Sequence, residues 1–326
     1  MRTAWVIYNP YAGRFPAGPL LERAADVLAR ADWEIDVVET KAAEQLRTVA
    51  QRAVEAGQDA VFVAGGDGSV GRVAGVLAGS ETALGVLPAG TANVWARELG
   101  LPRLGWIHPL ALEEAARRLA RGDMHRVDLG MCEQAPFLLW AGVGLDGKIV
   151  NSIEPRARWE KAFAVAHYAF LAVWESLDWT GIDLKVRSGS QSWEGRFLLA
   201  VASNIRAYAG GYVELSPDAK IDDGLLDFWL LRGKSLTDAV GPAVNILMGR
   251  HVEAPGLIHF RAAEAEFETQ GRLPLHVDGE PGPEGELVKL ELRPRALKVL
   301  MPEGGWPEVF TEEEKPSTSP GWNAEV

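Results

Sequence analysis

A change of rhythm near residue 125 constrains this chain more than any other feature. Before it, apolar runs at 4–8, 34–38, 60–64 and 83–87 alternate with helically spaced stretches at 20–31, 43–56 and 70–77. Strands alternating with helices predict a parallel sheet built from right-handed crossovers. After it come strand-like runs, among them MHRVDLGMC, APFLLWAGV, SWEGRFLLAVASN, GLLDFWLLRG, LPLHVDGE and LVKLELRPRALKVLMP. Many are separated by Gly, Pro, Asp or Asn, the pattern of an antiparallel sandwich. Helices are expected there only at 158–177 and 235–248. The predicted fold is therefore an α/β domain with a parallel sheet over 1–125, followed by a mainly antiparallel β-sandwich domain over 126–302. The last strands of the second domain have the option of returning to the first. The Pro-, Glu- and Ser-rich segment 303–326 is expected to be poorly ordered.

Composition narrows the class. The 326 residues are 47% hydrophobic and 24% charged, the balance of a globular chain long enough for two domains. The net charge of −12 argues against a nucleic-acid partner, which calls for a basic footprint. One cysteine, Cys132, excludes an intramolecular disulfide, fits a reducing cytoplasm and reads as a small buried apolar residue. The opening MRTAWVIYNP reads as a first strand rather than a signal peptide. No apolar run is long enough to span a bilayer.

In a parallel sheet, ligands bind beyond the carboxyl ends of the strands. The unusual loops of the first domain fall there. VFVAGGDGS at 61–69 runs from an apolar strand into Gly65-Gly66-Asp67-Gly68-Ser69 and then a helix. Glycines let the backbone approach a ligand, and the amides of a helix start cradle phosphate. Asp67 suits Mg²⁺ beside phosphates or the proton of an attacking hydroxyl; a capped strand-to-helix turn is the plainer alternative. LPAGTANVWARELGLP at 87–102 repeats the pattern, with Thr91 and Asn93 at its turn, and YNPYAGR at 8–14 adds Asn9, Pro10 and Gly13.

Other matches carry less. Gly142–Gly147 fits a dinucleotide fingerprint, and Gly142–Lys148 fits the start of a P-loop. The first needs a βαβ unit where antiparallel strands are expected; the second needs Ser or Thr where Ile149 stands. The six histidines show no metal spacing, and no G-x-S-x-G elbow is present. Two acidic turns stand out in the second domain. SPDAKIDDGLLD at 216–227 suits a hard cation or an ordinary Asp-Gly turn, and HVDGEP at 276–281 is ordinary hairpin chemistry taken alone.

Taken together, YNPYAGR, GGDGS, LPAGTAN, AGVGLDG, the Asp-Gly-Leu-Leu-Asp run at 223–227 and VDGEP resemble, in order and spacing, the diacylglycerol kinase catalytic-domain family, over about residues 1–302. That family includes bacterial lipid kinases and sphingosine kinases. The resemblance implies an ATP- and Mg²⁺-dependent lipid kinase with the nucleotide between two domains, acting in phospholipid metabolism. It implies that Asn9, Pro10, Tyr11, Ala12, Gly13, Thr40, Gly66, Asp67, Gly68, Ser69, Val70, Gly71, Arg72 and Thr91 hold ATP. Glu280 would accept the proton of the lipid hydroxyl, with Asp67 as rival. Lys220, Asp223 and Leu225 would hold a structural Mg²⁺, the first and third through backbone carbonyls. It further implies a cytoplasmic enzyme transiently at a membrane surface, and leaves a homodimer open.

The chain departs from the family pattern at Ser69 for Thr, at Gly71-Arg72 for an Asn-Glu pair, and at Val94 for Asp. Arg72 in place of an acid suits a phosphate or an anionic lipid head. The basic and aromatic residues of 156–177 suit an anionic interface, or a core helix with a solvated first turn. The competing readings are a kinase of a soluble alcohol or nucleotide, a catalytically silent lipid- or nucleotide-binding protein and, more distantly, a dinucleotide oxidoreductase.

Overall fold

The computed structural model describes residues 1–10, 18–102, 104, 108–145, 147, 179–250, 254–305 and 307–311. The stretches at 11–13 and 156–177 singled out above lie outside the described residues.

The first domain contains β1 (Arg2–Tyr8), α1 (Gly18–Ala29), β2 (Trp33–Glu39), α2 (Gln45–Glu55), β3 (Ala60–Gly65), α3 (Asp67–Leu77), β4 (Ala83–Pro88), α4 (Val94–Glu98) and α5 (Ala111–Ala120). Its strands run parallel in the order β4-β3-β1-β2. Every residue of β3 and β4 is buried, as central strands covered on both faces require. The covering helices carry apolar stripes at helical spacing, for example Leu46, Val49, Ala50 and Ala53 on α2. On α5, Glu113 and Glu114 begin the helix and Arg117 and Arg118 end it, which complements its dipole.

The second domain contains β5 (Met124–Cys132), β6 (Ala135–Phe137), β7 (Trp140–Gly144), β8 (Ile182–Ser188), β9 (Gln191–Ser203), β10 (Ala207–Tyr208), β11 (Val213–Glu214), β12 (Leu226–Arg232), α6 (Leu236–Leu247), β13 (Leu257–Ala262), β14 (Glu264–Thr269), β15 (Leu275–Val277), β16 (Glu280–Pro281) and β17 (Leu287–Leu300). All pairings within this set are antiparallel. Its core is aromatic-rich, with Phe137, Phe197, Phe228 and Phe267 fully buried. Cys132 is buried and unbonded, as expected.

One strand of the second set, β17, reaches the sheet of the first. It pairs with β14 at Leu287–Glu291, shifts register between Arg293 and Leu297 around Pro294, and then lies parallel to β4 at Val299 opposite Leu84. Proline is tolerated in so long a strand because the irregularity removes the need for its missing donor.

Several expected boundaries move. The helix expected from residue 70 begins at Asp67, because Gly66 is extended and caps it. The run APFLLWAGV divides into β6 and β7, because the amides of Leu138 and Leu139 turn to a side chain of another hairpin, described below. The segment after 302 is not wholly loose: Val309 and Phe310 are buried, and Thr311 bonds Asp222. The Gly142–Gly147 fingerprint lies on and just after β7, and a side chain at Gly147 would overlap the backbone of Pro274. Gly144, where an added Cβ would meet the backbone of Leu198, and Gly147 serve close packing. No described helix is long and apolar enough to cross a membrane.

Candidate active site

The GGDGS and LPAGTAN loops meet backbone to backbone. The Ala89 amide donates to Gly65 O at 3.2 Å, and a Cβ at Gly90 would overlap Gly66 Cα. Only glycine permits that approach. Asn93, with φ of 51°, locks the second loop: its Oδ1 accepts from Gly90 N and its Nδ2 donates to Gly90 O. Asp67 ties the loops together by accepting from Trp95 N at 3.0 Å, at the start of α4. Burial raises the Asp67 pKa, while the amides of Trp95, Val94, Asp67 itself and Asn93 work against that rise.

Of the other residues expected to hold nucleotide, Gly66, Gly68, Ser69, Val70, Gly71 and Arg72 lie in or beside the first turns of α3. Asn9 and Pro10 follow β1 at the same sheet edge, and Thr91 is half-buried in the facing loop. Thr40 is fully buried and its hydroxyl donates to Tyr8 O at 3.0 Å, so it closes the end of β1. Tyr11, Ala12 and Gly13 lie outside the described residues.

The second domain meets α3 along a glycine stripe. A Cβ at Gly68 would lie 2.9 Å from Glu280 Oε1, a Cβ at Gly71 would lie 3.0 Å from Asp278 Oδ2, and any side chain at Gly75 would overlap Pro136. Residues 68, 71 and 75 share one helix face, so the stripe lets the VDGE hairpin and β6 approach the helix backbone. A meeting of the two domains was expected, but not that it runs along this face of α3. The only signal for it was the glycine spacing within a helix, where glycine otherwise weakens structure.

Asp278 anchors that hairpin. With φ of 49°, it accepts from the amides of Leu138 (2.9 Å), Leu139 (2.9 Å) and Trp140 (3.1 Å). Burial, opposed by those amides and aided by the nearby Asp67 charge, raises its pKa to about 6. Glu280 faces the same helix one turn earlier, and Arg72 Nη2 donates to its Oε1 at 2.9 Å and its Oε2 at 2.8 Å. Two buried carboxyls, Asp67 and Asp278, thus lie near each other, each held by backbone amides.

The other acidic turn is arranged differently. Asp223 Oδ1 accepts from Leu225 N at 3.0 Å, and Oδ2 is ion-paired with Arg261. Arg261 also approaches Asp227, 3.4 Å away, and stands opposite it in the β12–β13 pair. The Lys220 ammonium donates to Glu308 O, and Asp222 accepts from Thr311. Among the described residues, no three His, Cys, Asp or Glu side chains converge on a metal position. Both Asp223 oxygens are thus engaged in this arrangement, and a guanidinium stands beside the carboxylate. Asp128, not singled out from the sequence, supports the turn: it accepts from Gly224 N and Arg295 N, both at 2.7 Å. Burial, against those amides, raises its pKa to about 6.

Glycine-rich loops at a parallel sheet edge, faced by a carboxylate from a β-sandwich, match two known families in tandem. Residues 3–132 match the family described as "Diacylglycerol kinase catalytic domain", and residues 141–301 match the "YegS C-terminal NAD kinase beta sandwich-like domain". The class is a two-domain lipid kinase, a phosphotransferase. A diacylglycerol kinase of Mycobacterium tuberculosis (strain H37Rv) is 33% identical over 308 residues, covering 91% of this chain and 94% of that protein. The diacylglycerol kinase of Bacillus subtilis (strain 168) is 26% identical over 93% of this chain and 97% of its own. In fold, a diacylglycerol kinase from Bacillus anthracis (strain Sterne) superimposes with a TM-score of 0.68 at 21% identity, over 92% of this chain and 97% of that one. This chain belongs to the diacylglycerol kinase catalytic-domain family.

Proposed function

We propose that this protein transfers the γ-phosphoryl group of ATP to the hydroxyl of a lipid, diacylglycerol or a related molecule. The observation that carries the reading is the position of Glu280, set over the first turn of α3 beside the joined glycine loops. Phosphoryl transfer needs alignment and charge neutralisation more than covalent help. The amides around Gly66 to Ser69 and the start of α3 bind and orient phosphate oxygens. Mg²⁺ arriving with ATP would be held beside Asp67 and would supply charge neutralisation at those oxygens. Glu280 takes the proton of the attacking hydroxyl. Asp67, committed to the α4 amides, orders the loops and is the less suitable base.

A lipid acceptor is supported by the relatives, named as diacylglycerol kinases, and by the exterior of α6. Val240 (60% exposed), Val244 (44%) and Leu247 (72%) recur along one face, followed by Met248 (66%). Such a face suits transient contact with a lipid surface.

The test is transfer from labelled ATP, with Mg²⁺, onto a panel of lipids in mixed micelles and a panel of soluble alcohols. Label on a lipid supports the reading and names the acceptor. Label on a soluble alcohol alone moves the protein to a soluble-alcohol kinase. ATP binding without transfer makes it a silent binding protein.

A further inference from the structure

Glu280 begins a strand of two residues, and its side chain is 43% exposed. A glutamate in such a place has much rotamer freedom to lose before it meets a hydroxyl in one orientation. Arg72 supplies the constraint. It belongs to the second turn of α3, a helix anchored in the first-domain core by the buried Val70, Val73, Ala74 and Leu77. Its guanidinium therefore comes from a rigid element, and one nitrogen bridges both oxygens of Glu280. Three carboxylates lie along the same helix face: Asp67 at its start, Glu280 against Gly68 and Asp278 against Gly71.

We propose that Arg72 is a positioning residue for phosphoryl transfer. Its guanidinium holds the Glu280 carboxylate over Gly68, on the acceptor side of the cleft. It does not act as an ATP ligand, the role that its place in the 66–72 stretch implies. The inference rests on the reading of Glu280 as proton acceptor. In the transfer, the hydroxyl oxygen bonds to the γ-phosphorus while the bond from that phosphorus to the β–γ bridging oxygen breaks. The electron pair of the broken bond leaves with ADP, and the hydroxyl proton passes to Glu280. Arg72 forms and breaks no covalent bond; it fixes where the accepting oxygens stand. An exposed ion pair of this kind adds little to stability, so its effect belongs to geometry.

The test is steady-state kinetics with ATP and lipid each varied, on wild type, Arg72→Gln, Arg72→Lys, Glu280→Asp, Glu280→Gln and Arg72→Gln combined with Glu280→Asp. Misplacing a reacting group costs up to about a hundredfold in rate. Arg72→Gln is therefore expected to lower kcat by about tenfold or more. The KM for ATP and the melting temperature should stay near wild type. Arg72→Lys, which keeps the charge, recovers part of the loss. Glu280→Asp keeps a carboxylate but is one methylene too short for the bridge, so adding Arg72→Gln to it costs nothing further. A raised KM for ATP with kcat unchanged, or a full second loss in the double variant, overturns the proposal. A fully active Glu280→Gln strikes instead at the proton-acceptor reading, and is distinguished by that variant alone.

Discussion

Two Asp-Gly turns of the second domain look alike in sequence and behave differently in the fold. The turn at 278–280 faces another domain. Asp278 fastens it to the segment before β7, and Glu280 is presented over α3, where its partner Arg72 comes from the first domain. The turn at 222–225 faces its own domain: Asp223 is held by Arg261, Asp222 by Thr311, and the loop by Asp128. Short acidic turns are thus sorted into chemistry and framework by what stands opposite them. One meets a glycine-lined helix and a guanidinium of the other domain, the other a guanidinium of its own domain.

The largest effect should separate the two turns directly. Glu280→Gln is expected to lower kcat by about 10²- to 10⁴-fold, the range of a general base. Asp223→Asn should lower the melting temperature while sparing most of kcat. Equal losses of kcat, read in the lipid assay, would erase the distinction. Next comes the helix face on which the first turn depends. Gly75→Val has to push α3 away from Pro136, at a cost of about 1–3 kcal/mol and a fall in kcat as Glu280 loses its place. Gly241→Ala, in α6 with nothing within 4 Å of the added carbon, should be neutral or stabilising by up to about 1 kcal/mol. Urea unfolding checks both.

The guanidinium of the second turn is tested by Arg261→Met, which should cost about 1–3 kcal/mol by leaving Asp223 and Asp227 without their charged donor. Melting curves with and without excess Mg²⁺ should coincide for wild type and diverge for the variant. Divergence in wild type would return Asp223 to the role of metal ligand.

The smallest effect is in titration. Each turn has a buried acid with a pKa raised to about 6, Asp278 in one and Asp128 in the other. A raised carboxyl pKa means that the folded state binds the proton more tightly than the unfolded chain. Its contribution to stability is complete below the ordinary range near 3.8 and is lost as pH rises through about 6. Carboxyl-carbon NMR should show both midpoints near 6. Adding Mg²⁺ and a non-hydrolysable ATP analogue should lower only that of Asp278, by about one unit, because a cation beside it favours its ionised form.

Much of this protein is legible in the chain. The alternating periods of 1–125, the strand runs beyond, and the loops at 65–69 and 88–93 are local patterns, and local backbone preference fixes them. The family resemblance rests on the same short motifs and agrees with the matches found. What the motifs did not reveal has one cause. Asp67 accepts from a helix amide 28 residues downstream of it, Asp278 draws in the amides of residues 138–140, and Arg72 grips a carboxylate 208 residues away. Asp223, suited by its turn to a cation, was given Arg261 by the strand register. Charge and hydrogen-bonding capacity are written in the residue type. The partner that uses them is set by which surfaces two domains bring within about 3 Å, the reach of a hydrogen bond, and only the tertiary structure decides that.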